Sequence, residues 1–432
     1  VNVRVRAGAL PLLAVVLTAL NLRTAVTGFT PLLELIGADL GFGPSLYGVL
    51  GTIVTASFAV FGLLAASVAR RVGLERTIAI AVALTTAGIV LRALSPSTAM
   101  LVISTVIAFT GVGASNVLVI PLVKKYFSAH LKAVSSLYIA LLQVGQFVAP
   151  LLALPVALAV GWRWAIGMWA VLTAVAVVLW IALAARARRA ERRSLVADAS
   201  ATLDAPVDGS PFTSPFAPPP APARLVGAWR TPLLWSLVLM MGITSLNVHA
   251  VFTWLPAILV DAGADPASGG ALLALFSVLG LPAAFVVPPL AIRLRNPFVI
   301  VAVCTVLMVG GYAGLLLSPG AGAVVWVVLL GLGVSTFPLC LTLVNARTST
   351  TAGSTVLSGA MQGVGYAIAC LGPFGTGALY AATGAWTGSF IVLFASLAVM
   401  LVAGWIACRP ATLEEQVGGL AVSAGAAGAG VR

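Results

Sequence analysis

The sequence predicts an all-α membrane protein: twelve transmembrane helices in two pseudo-symmetric six-helix bundles. Three observations carry that prediction. The composition is apolar and poor in charge, the apolar residues fall in runs of about one bilayer thickness, and Lys and Arg lie almost entirely on one side of those runs.

Of the 432 residues, 61% are hydrophobic and 8% are charged, and the mean hydropathy is +1.12. Soluble chains average about 25% charged residues, so a chain of this size lacks the polar surface to enclose a water-soluble core. Runs such as 99–123 and 387–408 are long enough to span about 30 Å of hydrocarbon as helices. A membrane barrel would alternate apolar and polar residues, and these runs do not. The net charge of +12 would suggest a nucleic-acid partner in a soluble protein; here its placement makes lipid the partner instead. Cys304, Cys340, Cys370 and Cys408 all lie in apolar runs without metal-ligand spacing, and read as small buried residues.

Breaks at charged, Gly and Pro clusters give spans near 8–34, 45–68, 77–94, 99–123, 133–156, 161–185, 232–260, 268–291, 297–317, 321–345, 354–380 and 385–408. The first is too long for a signal core and carries Arg23 in its middle, so it is expected to remain as a span. Four regions follow. Residues 1–185 form a first six-helix bundle, 186–230 a linker, 231–410 a second bundle and 411–432 a tail, expected to be disordered. The linker holds five Arg between 186 and 193 and then a Pro-rich run, a composition that buries no core.

Orientation follows from the charges. With the N-terminus inside, 20 of the 23 Lys and Arg are cytoplasmic and only Arg92 and Arg163 are external. The sequence therefore places both termini and the linker in the cytoplasm of a multi-pass cell-membrane protein.

The halves read as copies. Asn21-Leu-Arg23 and Gly37-Ala-Asp39 recur 226 residues later as Asn247-Val-His249 and Gly263-Ala-Asp265. Gly111-Val-Gly113-Ala-Ser115 recurs as Gly331-Leu-Gly333-Val-Ser335, and Ala149-Pro150 as Gly372-Pro373. Transporters built from repeated halves bind substrate near the midplane between them.

The remaining basic residue, Arg23, lies about halfway along the first span, with no carboxylate at its depth. Arg at a helix centre costs at least ~2.5 kcal/mol on insertion scales, and snorkelling relieves this only near a helix end. Arg23 is therefore expected to face a polar cavity, where its guanidinium offers a planar fork of donors for an oxyanion. An architectural Arg bonded to helix-end carbonyls is the alternative. His249 is its counterpart in the repeat. A lone His in an apolar span is commonly a hydrogen-bonded core residue, but at this position it is also a proton-coupling candidate. Asn21, Asn116, Gln143, Gln146, Asn247 and Gln362 are the other candidate substrate neighbours at mid-span depth, each also readable as interhelical glue. Trp254 beside Pro256 is read either as an outer-gate residue or as part of the interfacial aromatic belt. Pro150 and Pro373 are expected to bend their helices.

No phosphate loop, zinc-protease helix or nucleophile elbow is present in the sequence, so ATP drive and hydrolase chemistry have no visible apparatus. The chain is read as a non-enzyme without cofactor or metal.

Several segments together resemble the cyanate permease and nitroimidazole transporter group of the major facilitator superfamily. They are Asn21-Leu-Arg-Thr-Ala-Val-Thr27, Arg70-Arg-Val-Gly-Leu-Glu-Arg76, Trp254-Leu-Pro256 followed by Ser268-Gly-Gly-Ala-Leu-Leu-Ala-Leu275, Phe337-Pro-Leu-Cys340 and Met361-Gln-Gly-Val-Gly365. The resemblance implies the major facilitator fold, alternating access, and small, often anionic or weakly acidic substrates; the group's helix-1 Arg falls on Arg23. Thr24 stands where the group usually has Pro, Ala66 and Arg70 where the superfamily loop has Gly and Asp, and Thr244 and His249 where helix 7 often has Gln and an aromatic. The sequence is thus read as a secondary transporter, sufficient as a monomer, for a small anionic or weakly acidic solute with proton coupling. A proton-coupled multidrug exporter and a non-transporting sensor with a transporter fold are the alternatives.

Overall fold

A computed structural model describes residues 8–127, 130–203, 227–320 and 322–418. Among them, twelve helical segments are long and apolar enough to cross a membrane, at bounds within a few residues of those read from sequence. In hydrocarbon every backbone N–H and C=O must bond within its own segment, so uninterrupted apolar sequence becomes helix whatever its intrinsic propensity. Span 1 is α1 (Ala9–Thr27) followed, after a 3-10 turn, by α2 (Leu33–Leu40). Spans 2 to 7 are α3 (Pro44–Val72), α4 (Leu74–Ala93), α5 (Thr98–Tyr126), α6 (Leu131–Val160), α7 (Trp162–Leu203) and α8 (Pro232–Asp261). Span 8 is α9 (Pro266–Val278) with α10 (Gly280–Arg293), and span 9 is α11 (Phe298–Leu317). Span 10 is α12 (Ala323–Gly333) with α13 (Thr336–Ala346), span 11 is α14 (Thr351–Ala369) with α15 (Leu371–Thr383), and span 12 is α16 (Thr387–Ala407).

The four interruptions share a cause. Proline lacks an N–H and its ring crowds the carbonyl four residues back. Thr27, Val278, Val334 and Ala369 stand four residues before Pro31, Pro282, Pro338 and Pro373, and the helices end at or beside them. Pro121, Pro150, Pro155 and Pro256 sit inside unbroken helices. The expectation for Pro373 is therefore met by a break, whereas α6 runs through Pro150 without interruption. The two halves also differ, since Pro31 interrupts span 1 but Pro256 leaves α8 whole.

Helices α1–α7 form one bundle and α8–α16 the other. Outward-facing Leu158, Ile292, Val306 and Leu317 leave an apolar jacket suited to lipid rather than water. The repeat is visible in the packing. A side chain on Gly145 would run into the carbonyl of Leu20, and one on Gly372 into that of Leu246, the equivalent residue 226 positions on. Both glycines thus let the first helix of each half approach its neighbour backbone to backbone.

With twelve spans, the start of α1 and the end of α16 lie on one face, termed the basic face because most Lys and Arg of the described residues lie there. The halves meet along α3 against α8, α14 and α15, and along α6 against α9. Towards the opposite face the joint is tight. A Cβ on Gly48 would stand 2.8 Å from the Pro373 carbonyl and 3.1 Å from the Trp254 ring, and one on Gly270 2.8 Å from the Pro150 carbonyl. Trp254 is buried here, donates to the Pro373 carbonyl at 2.9 Å and lies 6.1 Å from the Tyr47 ring of the other half. Burial between the halves is not the setting of an interfacial-belt residue.

Three expectations need correction. Arg92, counted by sequence on the external side at the end of span 3, is 1% exposed inside the first bundle. Helix α7 does not end at 185 but continues to Leu203, so Arg186–Arg193 are helical; the Pro-rich part of the linker, 204–226, lies outside the described residues. The start of the tail is ordered: 413–418 are helical, Leu413 is buried, and the Glu414 carboxylate accepts from the backbone N–H of Ser349 and Thr350 at 3.1 and 3.0 Å. Residues 419–432 lie outside the described set.

Candidate substrate site

The first helix prepares Arg23 by occupying everything around it. The Asn21 amide donates to the Leu17 carbonyl at 2.9 Å, Thr24 donates to the Asn21 side chain at 3.3 Å, and Thr27 donates to the Arg23 carbonyl at 3.1 Å. The guanidinium itself makes no hydrogen bond or ion pair among the described residues, and its Nε is fully buried. The carbonyl bonds of the architectural reading are thus not found among the described residues. Arg23 as a whole is half-buried, and its buried, unmet Nε donor is costly unless a partner arrives.

What surrounds Arg23 is aromatic and comes from both halves. Its Cζ lies 5.9 Å from the ring centroid of Phe58 on α3, inside the range of cation–π attraction. The Phe58 ring is 5.3 Å from that of Tyr366 on α14 and 6.4 Å from that of His249 on α8. Arg23 also lies near Tyr138 on α6, Tyr366 and His249. Neither of these tyrosine hydroxyls has a hydrogen-bond partner among the described residues, although a buried Tyr hydroxyl usually finds one.

His249 is held by Nδ1, 2.7 Å from the Ser245 carbonyl. A carbonyl only accepts, so Nδ1 carries the hydrogen and Nε2 is left as the free ring position. The site thus brings together one fixed cation, two free hydroxyls and one imidazole nitrogen, on a wall of aromatic rings between the halves. Among the described residues no group of three His, Cys, Asp or Glu could hold a metal.

The other residues singled out by sequence divide. Asn116 and Gln146 are half-buried with no hydrogen-bond partner among the described residues, and Gln362, one turn from Tyr366, bonds Ser358 at 3.2 Å. These three remain free to meet a solute. Gln143 instead ties the halves, donating to the Ser277 carbonyl at 3.4 Å. Asn21 is spent inside α1. Asn247 is fully engaged within the second bundle: its amide donates to Ile243 and to Ser396 at 3.0 Å and accepts from Tyr312 at 2.8 Å. The amides of Asn21 and Asn247 are engaged at both ends within their own halves, whereas Gln143 is engaged only through its Nε2.

Sequence reasoning missed Phe58, Tyr138 and Tyr366. The available signal was a mid-span Tyr, whose hydroxyl has to be satisfied in hydrocarbon.

Residues 13–373 match the family described as Major Facilitator Superfamily. The chain is 29% identical to the 2-nitroimidazole transporter of Escherichia coli (strain K12), over 86% of this chain and 88% of that one. It is 28% identical to the cyanate transport protein CynX of the same organism, over 86% and 90%. Among solved structures it resembles a bacterial homolog of the human lysosomal transporter Spinster, with TM-score 0.68 and 14% identity, over 94% and 98% of the two chains.

Proposed function

The chain belongs to the Major Facilitator Superfamily, and from that premise we propose that it moves a small anionic or weakly acidic solute by alternating access, coupled to protons. That it is a secondary transporter rests on the family and on the transporters it resembles. The anionic substrate rests on one observation: a half-buried guanidinium between the two halves, its Nε fully buried, with no hydrogen-bond or ion-pair partner among the described residues.

An anion entering this site replaces lost hydration with the Arg23 fork, in a cavity of low dielectric where such pairing is worth several times its value in water. The free hydroxyls of Tyr138 and Tyr366 add neutral donors, and the rings of Phe58, Tyr366 and His249 suit a flat, conjugated anion such as a deprotonated weak acid. A solute between Arg23 and His249 also touches both halves at once, so its binding energy is available to drive their rocking.

Proton coupling follows from the His249 anchor. With Nδ1 held by Ser245, a proton is gained or lost at Nε2. Anion binding beside Nε2 and protonation of Nε2 favour one another through Coulomb attraction, and this coupling is reciprocal. Uptake with a proton offsets the cost of carrying an anion against a negative-inside potential, ~2.3 kcal/mol per charge per 100 mV. The basic face is read as cytoplasmic because of its Lys and Arg excess.

The test is a thermal-shift screen of purified protein against small anions, weak acids, neutral analogues and lipophilic cations, with Arg23→Gln alongside. A ligand at ~100 times its Kd stabilises the fold by ~2.7 kcal/mol. Stabilisation by particular anions in the parent but not in the variant supports the reading. Stabilisation by cations or neutral drugs alone, equal in both proteins, overturns it.

A further inference from the structure

We propose a second anion site, sized for a single chloride or bromide, inside the first bundle and separate from the Arg23 cavity. It lies between α1, α4 and α7 towards the face opposite the basic one.

Its centre is Arg92, near the end of α4. The side chain does not reach outward. It folds under α1, where its Cζ lies 3.8 Å from the Phe29 ring centroid and 5.2 Å from that of Phe109. Its one hydrogen bond is from Nη1 to the Ala25 carbonyl at 3.3 Å. Nε and Nη2 are fully buried and have no acceptor among the described residues, and the same holds for the indole Nε1 of Trp169 on α7. Arg92 and Trp169 line one small pocket, completed by Gly28, Phe29, Ile89 and Ile166.

Three unmet donors lining one pocket call for an acceptor. A buried cation also needs a counter-charge, and the lining residues supply none. Water fits less well, because its two hydrogens need acceptors. The Ala25 carbonyl already takes Arg92, and the Thr24 carbonyl takes the Gly28 N–H at 3.1 Å. A monoatomic anion accepts from all three donors and donates to none.

The pocket also depends on a missing side chain. A Cβ on Gly28 would stand 3.4 Å from Trp169 Nε1 and 2.9 Å from the Thr24 carbonyl, and so would take up the space the ion needs. Gly28 has φ −76, a conformation open to any residue, so it is space rather than backbone that asks for glycine here. Gly28 also caps α1 just before the interruption of span 1. An ion in this pocket would hold the end of α1 to α4 and α7 at that break.

Two measurements on the full chain test the site. The first is bromide anomalous diffraction from wild-type crystals: a peak beside Arg92 and Trp169 is expected, and water density without anomalous signal there overturns the proposal. The second is a halide titration of Tm at constant ionic strength, with gluconate as the anion too large to enter, in the Arg23→Gln background that silences the central cavity. Bromide and chloride are expected to raise Tm saturably where gluconate does not. Adding Trp169→Phe should weaken the apparent affinity roughly tenfold, the scale of one hydrogen bond to a charged group, and adding Gly28→Ala should abolish the effect. An equal shift with gluconate, or a halide response unchanged by Gly28→Ala and Trp169→Phe, overturns it.

Discussion

Arg23 and His249 hold equivalent positions in the two copies of the repeat, 226 residues apart, yet one leaves its whole guanidinium unpaired while the other is fixed by Nδ1 to the Ser245 carbonyl at 2.7 Å. Duplication supplied two polar positions on the first helix of each half. One of them carries a permanent charge and the other an imidazole. The Arg23 fork gives the first prediction. Arg23→Lys keeps the charge but loses the bidentate geometry, so anion affinity is expected to fall about tenfold, while Arg23→Gln removes saturable anion binding. Equilibrium titration of purified protein reads both; equal affinity for parent and Lys variant would show that charge alone suffices.

The free hydroxyls are testable without disturbing the fold. Tyr138→Phe and Tyr366→Phe remove an oxygen that has no hydrogen-bond partner among the described residues, so Tm is expected to hold within a degree or two. If each hydroxyl bonds the solute, affinity should drop by about 1 kcal/mol, or roughly fivefold. A change in Tm with no change in affinity would assign the hydroxyls to packing.

The seal opposite the basic face predicts a shift in conformation. Gly51 faces Thr253 and Pro373, and Gly48 faces Trp254 and Pro373, too closely for any side chain. Gly48→Ala and Gly51→Ala should force the halves apart there. Cys370 lies beside this joint, accepting a hydrogen bond from Thr55 of the other half at 3.2 Å, whereas Cys304, Cys340 and Cys408 are buried. Labelling of Cys370 by a membrane-impermeant thiol reagent added from that side is expected to quicken several-fold in both variants. Unchanged labelling would mean that the helices absorb the methyl without opening.

Much of this architecture is legible in the sequence, because hydrocarbon leaves the backbone one choice and charge one placement. Arg23 stood out because a mid-span charge has nowhere to hide. Arg92 was misplaced for the converse reason: near a helix end an Arg can snorkel to water or fold inward, and the choice rests on Phe29 and Ala25, distant in sequence. Tyr138 and Tyr366 pass as apolar in any composition count. Which prolines break a helix was equally illegible, since Pro373 interrupts its span and Pro150 does not although the repeat pairs them.

The ordered start of the tail carries a pH dependence. Burial raises the Glu414 carboxyl's affinity for a proton, but hydrogen bonds from Thr350 and the Ser349 and Thr350 N–H groups outweigh it and hold the group below the usual 4.5. A depressed carboxyl contributes stability that is present above its unfolded value and lost as pH falls through the folded one. Helix 413–418 should therefore stay docked at neutral pH and loosen below about 4.5, and Glu414→Gln should loosen it at every pH. Amide hydrogen exchange across 411–418 reads both, and pH-independent protection would remove the carboxylate from the account.

Asn247 separates a structural role from a binding one. Its amide joins α8 to α11 through Tyr312 and to α16 through Ser396. Asn247→Ala leaves the Tyr312 hydroxyl buried and unpaired, which costs about 1–3 kcal/mol. The variant is expected to melt several degrees lower and yet bind the anion with parental affinity once folded. Asn247→Asp keeps the acceptor for Tyr312 but introduces a charge into the second bundle, and should be worse still. Affinity measured well below the melting temperature decides the matter. A loss larger than threefold in Asn247→Ala would return this residue to the substrate site, and would mean that the second bundle opens far enough during binding to release its amide.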